Sequence, residues 1–244
     1  MKNLYLFLIC LFLSLYVIGQ DDYPNIDTSH PKFRLALGSG VGFMTASTKD
    51  AKEQIVNYGF SESEAKSYYN RLKFSIPADV HLHYLINKNV GIGFHYNFFG
   101  TESQLSGVLD VQDGIHFANW NIEEHMYLNF IGLSGIIQEF YGIDKRVAIT
   151  GAYSLGYLSY RDEVYTMSFP YLITGNTIAM TGDLGIEYLI LPNLAFGADL
   201  SYLAGVIRKM NIDNGFSSSE EELEKEDYEN ISRISLSAGL KFYF

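Results

Sequence analysis

From residue 32 onward, apolar side chains return at every second position and are interrupted by short clusters of turn-forming residues. The clearest run sets Ile178, Met180, Leu184, Ile186, Tyr188 and Ile190 on one side of an extended chain, against Ala179, Thr181, Asp183, Gly185 and Glu187 on the other. Successive side chains of a β-strand point to opposite faces, so period two marks a strand with two different environments. The same reading predicts eight strands, over residues 32–46, 73–86, 90–101, 124–139, 146–161, 176–190, 194–206 and 231–244. The links between them alternate in length. Residues 87–89, 140–145 and 191–193 are short, whereas 46–73, 102–123, 162–175 and 207–230 are long, and an up-and-down order collects all the long ones at one end. An even number of antiparallel strands with short turns at one rim and extended loops at the other is the plan of a transmembrane barrel. Each predicted strand exceeds the roughly 9 to 11 residues that a tilted strand needs to cross a bilayer core. The expected fold is all-β, an eight-stranded antiparallel up-and-down transmembrane β-barrel with long loops at one rim.

Residue type predicts which face meets lipid. One face carries Leu35, Leu37, Val41 and Phe43, then Phe74, Ile76, Val80, Leu82 and Tyr84, then Ile92, Phe94, Tyr96 and Phe98, with no charge among them. The other carries Gly38, Gly40, Gly42, Gly91, Gly93, Gly156 and Gly239, mixed with charges of both signs. Small residues suit the narrow interior of eight strands, and charges there must pair or stay hydrated. A lumen charge network is therefore expected from Arg34, Asp79, Glu139, Asp183, Glu187, Asp199, Arg233 and Lys241, and Lys73 is read on the same face. Tyr84, Tyr127, Tyr141, Tyr160, Tyr188 and Tyr202 fall near strand ends, where aromatic girdles form at the two membrane interfaces.

The 244 residues are 48% hydrophobic and only 18% charged, and 22 glycines stand against 5 prolines, a balance that excludes a disordered chain. A formal net charge of -11 excludes nucleic acid as a partner, because phosphate binding needs the opposite sign. Residues 1–19 read as a secretory signal peptide, with Lys2, an apolar run over 4–18 and the small Gly19 before polar Gln20. Cys10, the sole cysteine, lies inside that run, so the processed chain is expected to hold no thiol for a disulfide, thiolate catalysis or cysteine-ligated zinc. Residues 20–31 are then an N-terminal extension and 32–244 the barrel.

Three places invite chemistry. His81 and His83 share the lumen face, and pairing across the turn at 87–89 sets Ile86 opposite Val90 and hence His81 opposite His95. Three neutral imidazoles so placed can ligate a transition metal, with Asp79 as a fourth ligand or as a hydrogen-bond acceptor behind them. The plainer reading is a hydrogen-bonded set within the lumen network. Residues 217–230 hold Glu220, Glu221, Glu222, Glu224, Glu226, Asp227 and Glu229 against Lys225, a run expected to repel itself and form a solvated surface segment, or else to collect calcium or a basic partner. Residues 50–58 are helix formers, and Ser61 followed by Glu64 resembles a capping box, so one or two short helices are expected at the outer rim, with Ile55, Val56, Phe60, Tyr68, Tyr69 and Leu72 covering the barrel mouth. The sequence contains no nucleophile-elbow, phosphate-loop or haem motif.

The last strand carries a resemblance. Ile234, Leu236, Ala238, Leu240, Phe242 and Phe244 alternate up to a terminal aromatic, like the insertion signal of outer-membrane barrels, and Tyr127-Leu128-Asn129-Phe130 opens the fourth strand. With these features the chain resembles the outer membrane protein β-barrel family of OmpA-like and PorT-like small barrels of Gram-negative bacteria, although Ile131 stands where that family carries proline. The resemblance implies the outer membrane as the location, outer-membrane lipid as the medium, and the barrel assembly machinery as a partner through Phe244. It implies no single activity. The function expected is that of a non-enzymatic, cofactor-free barrel acting as a binding, adhesion or envelope-assembly component through extracellular loops that meet an extracellular or envelope protein. The alternatives are an outer-membrane lipid-modifying enzyme and a secreted lipocalin-like binder of small ligands. The second is opposed by an uncharged apolar face larger than the Gly-rich charged one, the reverse of a greasy internal cavity.

Overall fold

The computed structural model describes residues 30–110, 117–167 and 169–244, so the expected signal peptide and residues 20–29 of the extension lie outside the described residues. The barrel wall consists of β1 (Phe33–Met44), β3 (Ala78–Leu85), β4 (Val90–Asp110), β5 (Phe117–Tyr141), β6 (Val147–Thr166), β7 (Phe169–Leu191), β8 (Leu194–Ala204) and β13 (Arg233–Tyr243). Each pairs antiparallel with the next, and β13 returns to β1 from Arg34 opposite Tyr243 to Met44 opposite Arg233. That last ladder removes both sheet edges and satisfies backbone groups that lipid cannot. The two residues of β2 (Phe74–Ser75) extend the line of β3 along β1. The break between them holds Pro77, which has no N–H to give to a ladder.

The register turns the apolar face outward on every wall strand. On β13, Ile234, Leu236 and Leu240 are exposed while Ser235, Ser237 and Lys241 are buried inside, and Phe244 just beyond the strand is exposed too. The apolar belt contacts lipid, and the lipocalin-like arrangement is excluded because its greasy face would point inward. At the periplasmic edge Phe33 meets Tyr84 edge-on at 5.5 Å and stacks on Phe244 at 5.8 Å. Phe98 and Tyr127 meet at 6.4 Å toward the outer edge. Tyr160 departs from the expected girdle. It is buried inside, where its hydroxyl donates to Asp162 Oδ2 at 3.1 Å.

Two of the expected loops are strand. β4 to β7 run 21, 25, 20 and 23 residues, against 12, 11 and 11 for β1, β8 and β13, so one half of the ring stands far above the membrane. The ladder between β4 and β5 reaches Asp110 opposite Phe117, and that between β6 and β7 reaches Thr166 opposite Phe169. Val164, Tyr165, Phe169, Tyr171 and Ile173 supply the β-branched and aromatic side chains that favour this extension. The acidic segment is ordered as well. β10 (Lys209–Asp213) pairs with β7 and with β11 (Ser218–Glu222), placing Glu220, Glu221 and Glu222 on a strand that Lys209 meets at 2.7 Å from Glu220. A short ladder of β9 (Val206–Ile207) with β12 (Glu229–Asn230) completes this link.

Helices α1 (Lys49–Asn57) and α2 (Glu62–Lys73) form at the predicted rim. The backbone N–H of Glu64 donates to Ser61 Oγ at 3.3 Å, and that of Ser61 donates to Glu64 Oε2 at 2.9 Å. Ile55, Phe60, Ala65, Tyr68 and Leu72 bury against Leu105, with Trp120 and Ile122 at the margin, so the helices fold onto the lumen-side face of the tall β4–β5 hairpin. At Gly107 a Cβ would stand 2.7 Å from the Phe60 ring, and this is the place where the hairpin needs glycine to receive the helices.

The closed wall predicts an SDS-resistant barrel whose unboiled band migrates ahead of the boiled one. Strand approach is closest at Gly93, where a Cβ would lie 1.8 Å from the Leu82 carbonyl oxygen. Gly93→Val is expected to lower the temperature at which the fast band disappears, by the equivalent of about 1 to 3 kcal/mol or more for overpacking. Heat-modified mobility across a temperature series measures both.

Candidate functional site

The lumen is filled in tiers. Lowest, Arg34 and Glu187 form a buried ion pair, Tyr243 donates to Glu187 Oε2 at 2.6 Å, and the Gln138 amide donates to the Lys88 carbonyl at 3.0 Å. Lys241 pairs with Asp199 beside them. Asp183 faces inward too, accepting from Thr181 at 3.4 Å through one oxygen while its Oδ1 has no hydrogen-bond partner. Glu139 is not part of this network. It follows Ile131, Leu133, Gly135 and Ile137 on the outward face of β5 and is exposed one step from the periplasmic end, because the strand's register outweighs the charge of a single residue. Lys73 also lies elsewhere, ending α2 with its ammonium on the Ala46 carbonyl and 5.8 Å from the Phe43 ring.

The middle tier brings the histidines together. His81 stands opposite His95 and Asp79 opposite Asn97, all on the lumen face of β3 and β4. Asp79 Oδ1 is 2.7 Å from His81 Nε2, and Oδ2 is 3.2 Å from His95 Nε2. The His81 and His95 rings stack at 3.8 Å and 18°. His83 is not in this triad: its Nε2 meets Ser134 Oγ at 2.9 Å, so the close trio is Asp79, His81 and His95 rather than three imidazoles. The side-chain direction follows the pleat, but the carboxylate reaches two rings only because it sits one cross-strand pair away from both.

Above the histidines the interior turns apolar. The Arg233 guanidinium donates to Asn97 and lies 4.8 Å from the Phe99 ring, and over it Phe99, Leu128, Phe130, Leu158, Leu203, Ile207 and Ile231 close the outer mouth. Sequence reading missed this plug, since Leu128, Phe130 and Leu158 lie on stretches apolar on both faces, where period two loses contrast. It also missed the carboxyls beyond the plug. Glu124 and Asp162 point inward above the membrane line, which the outward Arg161 and Glu163 mark, and Tyr68 of α2 donates to Glu124. Burial first, then the Glu124 charge, pushes Asp162 up to about 8. Burial likewise raises Glu124, with Glu229 adding to the rise, and raises Glu229 itself. The signal available in the sequence was the inward phase of Glu124 with Met126 and of Asp162 with Tyr160.

Glu187→Gln leaves Arg34 charged and unpaired in the lumen, and is expected to destabilise the barrel by about 3 to 5 kcal/mol, whereas Arg34→Met with Glu187→Leu recovers most of the loss. Thermal midpoints of heat-modified mobility separate the two outcomes. For the cap, a carboxyl whose folded pKa is raised stabilises the docked state fully below its free pKa, and that stabilisation is lost as pH rises toward the folded value. Docking of α1 and α2 should therefore be tightest in acid and weaken up to about pH 8, the value of Asp162. Trp120 is the sole tryptophan of the chain and stacks on Tyr58 at 5.9 Å, so its fluorescence reports docking. Asp162→Asn is expected to flatten the profile.

No family model matches the chain, and no curated protein matches it in sequence. Among solved structures it is similar to a major outer membrane protein from Thermus thermophilus, at 11% identity over 87% of this chain and 99% of that one, with a TM-score of 0.50. Neisserial surface protein A aligns at 14% identity over 87% of this chain and 97% of its own, with a TM-score of 0.49. The outer membrane protease OmpT from Escherichia coli aligns at 10% identity over 91% and 99%, with a TM-score of 0.43. Identities this low speak to fold alone, and of the three only the Thermus protein bears on it. Eight strands closed into a ring, an uncharged outward belt and a lumen filled by buried side chains make this chain an integral outer-membrane β-barrel protein.

Proposed function

We propose that the protein is a non-enzymatic binding component of the outer membrane, an adhesion or envelope-assembly protein that meets another protein through its extracellular structure. The observation that carries this reading is the contrast between a lumen packed with buried side chains and an ordered extracellular region with large apolar residues left in water. His83, Gln138, Glu187, Phe99 and Phe130 are all fully buried inside, which argues against a solute path. Outside, Phe169 is 57% exposed at the tip of the β6–β7 hairpin and Phe216 is 89% exposed at the tip of β10–β11. The two tips are neighbours, since a Cβ on Gly215 would stand 3.8 Å from Pro170. Exposed aromatics gathered above the lipid line are suited to a protein partner. The Glu220 to Glu222 run beside them favours a basic one and disfavours polyanions. Delivery to the membrane belongs, in this reading, to the barrel assembly machinery acting on the strand that ends at Phe244.

A photo-crosslinker placed at Phe169 or Phe216 in intact cells should give a discrete protein adduct, and one at Leu184 in the belt should give none. Planar-bilayer recordings of the purified protein should show no steady open conductance. A stable ion-conducting state, or crosslinks at the tips no different from those at Leu184, would overturn the proposal.

A further inference from the structure

We propose that the barrel lumen holds a divalent transition-metal ion of the zinc class on Asp79, His81 and His95. One atom from each of these three residues lies within 4.8 Å of the other two, which is a compact donor set of two imidazoles and a carboxylate. Both rings turn the same edge, Nε2, toward the same carboxylate, at 2.7 and 3.2 Å, and they do so while stacked face to face. A carboxylate with two neutral imidazoles is a ligand set that zinc and its neighbours accept, with a further position left for water.

The far edges of the two rings differ in their support. Nδ1 of His81 is buried without a hydrogen-bond partner, so a metal on its Nε2 leaves an Nδ1–H that calls for a bound water. His95 Nδ1 lies 3.1 Å from Ser154 Oγ and 3.2 Å from Thr181 Oγ1. Hydroxyls both donate and accept, so they can receive an Nδ1–H and free the Nε2 lone pair for a metal. Each neutral imidazole then shifts its proton from Nε2 to Nδ1 and none is released. The Asn97 amide donates to Asp79 Oδ2 and holds the carboxylate in place. Arg233, bound to that same amide's oxygen, brings a positive charge that weakens the site relative to a bare triad. The apolar plug lies above and the Arg34–Glu187 tier below, so the ion enters while the barrel assembles. His83 is committed to Ser134 and takes no part as a ligand.

The test refolds the full-length chain into detergent with EDTA or with ZnCl2, dialyses it against metal-free buffer and measures bound zinc by mass spectrometry, with the fast unboiled band as the criterion of folding. The expected result is one tightly held zinc per folded chain and a higher unfolding temperature. Asp79→Asn and His95→Gln should lose zinc while keeping the fast band, whereas His83→Gln should retain it, as should His125→Ala, whose ring on β5 pairs with Glu123 at 2.9 Å away from the triad. Folded wild-type protein without zinc overturns the site, as does zinc retained in both Asp79→Asn and His95→Gln. Should those two variants fail to fold, Co2+ in the wild-type chain decides. Intense visible ligand-field absorption, of the kind a low-coordinate nitrogen and oxygen site gives, supports the proposal, and the weak absorption of a hydrated ion ends it.

Discussion

Lipid offers no hydrogen bonds, so each backbone N–H and C=O hidden in the belt must be paired within the chain, and the β13–β1 ladder is the step that makes this complete. Without it β1 and β13 would present two open edges to the bilayer. Once the ring closes at eight strands, the interior becomes too narrow for open water and too large to leave empty, and its contents follow. Glycine is required where strands approach most closely, as at Gly93, and long polar side chains reach across the remaining space. Arg34, Glu187 and Tyr243 therefore meet at the centre although they come from different strands, and each neutralises or hydrogen-bonds what would otherwise be a costly buried group.

The same closure separates the molecule into levels with different physical chemistry. Near the periplasm the lumen is ionic, in the middle it is imidazole and carboxylate, and toward the outside it is apolar, with Phe99, Leu128 and Phe130 sealing the mouth. A barrel filled in this way fits the proposed reading, in which binding falls to the region above. There the tall β4–β7 wall provides a rigid support, α1 and α2 pack on its inner face, and the β10–β11 hairpin widens its edge. Binding surfaces on hairpins that continue the membrane wall are held more firmly than surfaces on free loops, because each rung of the ladder is paired down to the belt.

Glu124, Asp162 and Glu229 link the cap to its surroundings. They lie just beyond the apolar plug, where the loss of hydration outweighs the little partnering they find, and they hold protons more tightly than ordinary carboxyls. Tyr68 of α2 donates to one of them, Glu124, so the helix packs directly against this buried acidic group.

Strand number, the lipid-facing set, the position of the long links and the Ser61–Glu64 helix start are legible in the sequence, because each rests on local periodicity or on contacts a few residues apart. The pairing of His81 with His95 belongs with them, since a tight turn fixes the register of the two strands that flank it. Glu139 shows the limit of residue type, for its charge pointed inward while the phase of Ile131, Leu133 and Ile137 carried it outward. What the tertiary structure alone decided depends on residues far apart in the chain. The extension of β4 to β7 beyond the membrane, the plug of Leu128, Phe130 and Leu158, the ordering of the acidic β11 and the burial of Asp162 beside Glu124 are of this kind. Local pattern reports which way a side chain points, and only the closed ring determines what stands opposite it.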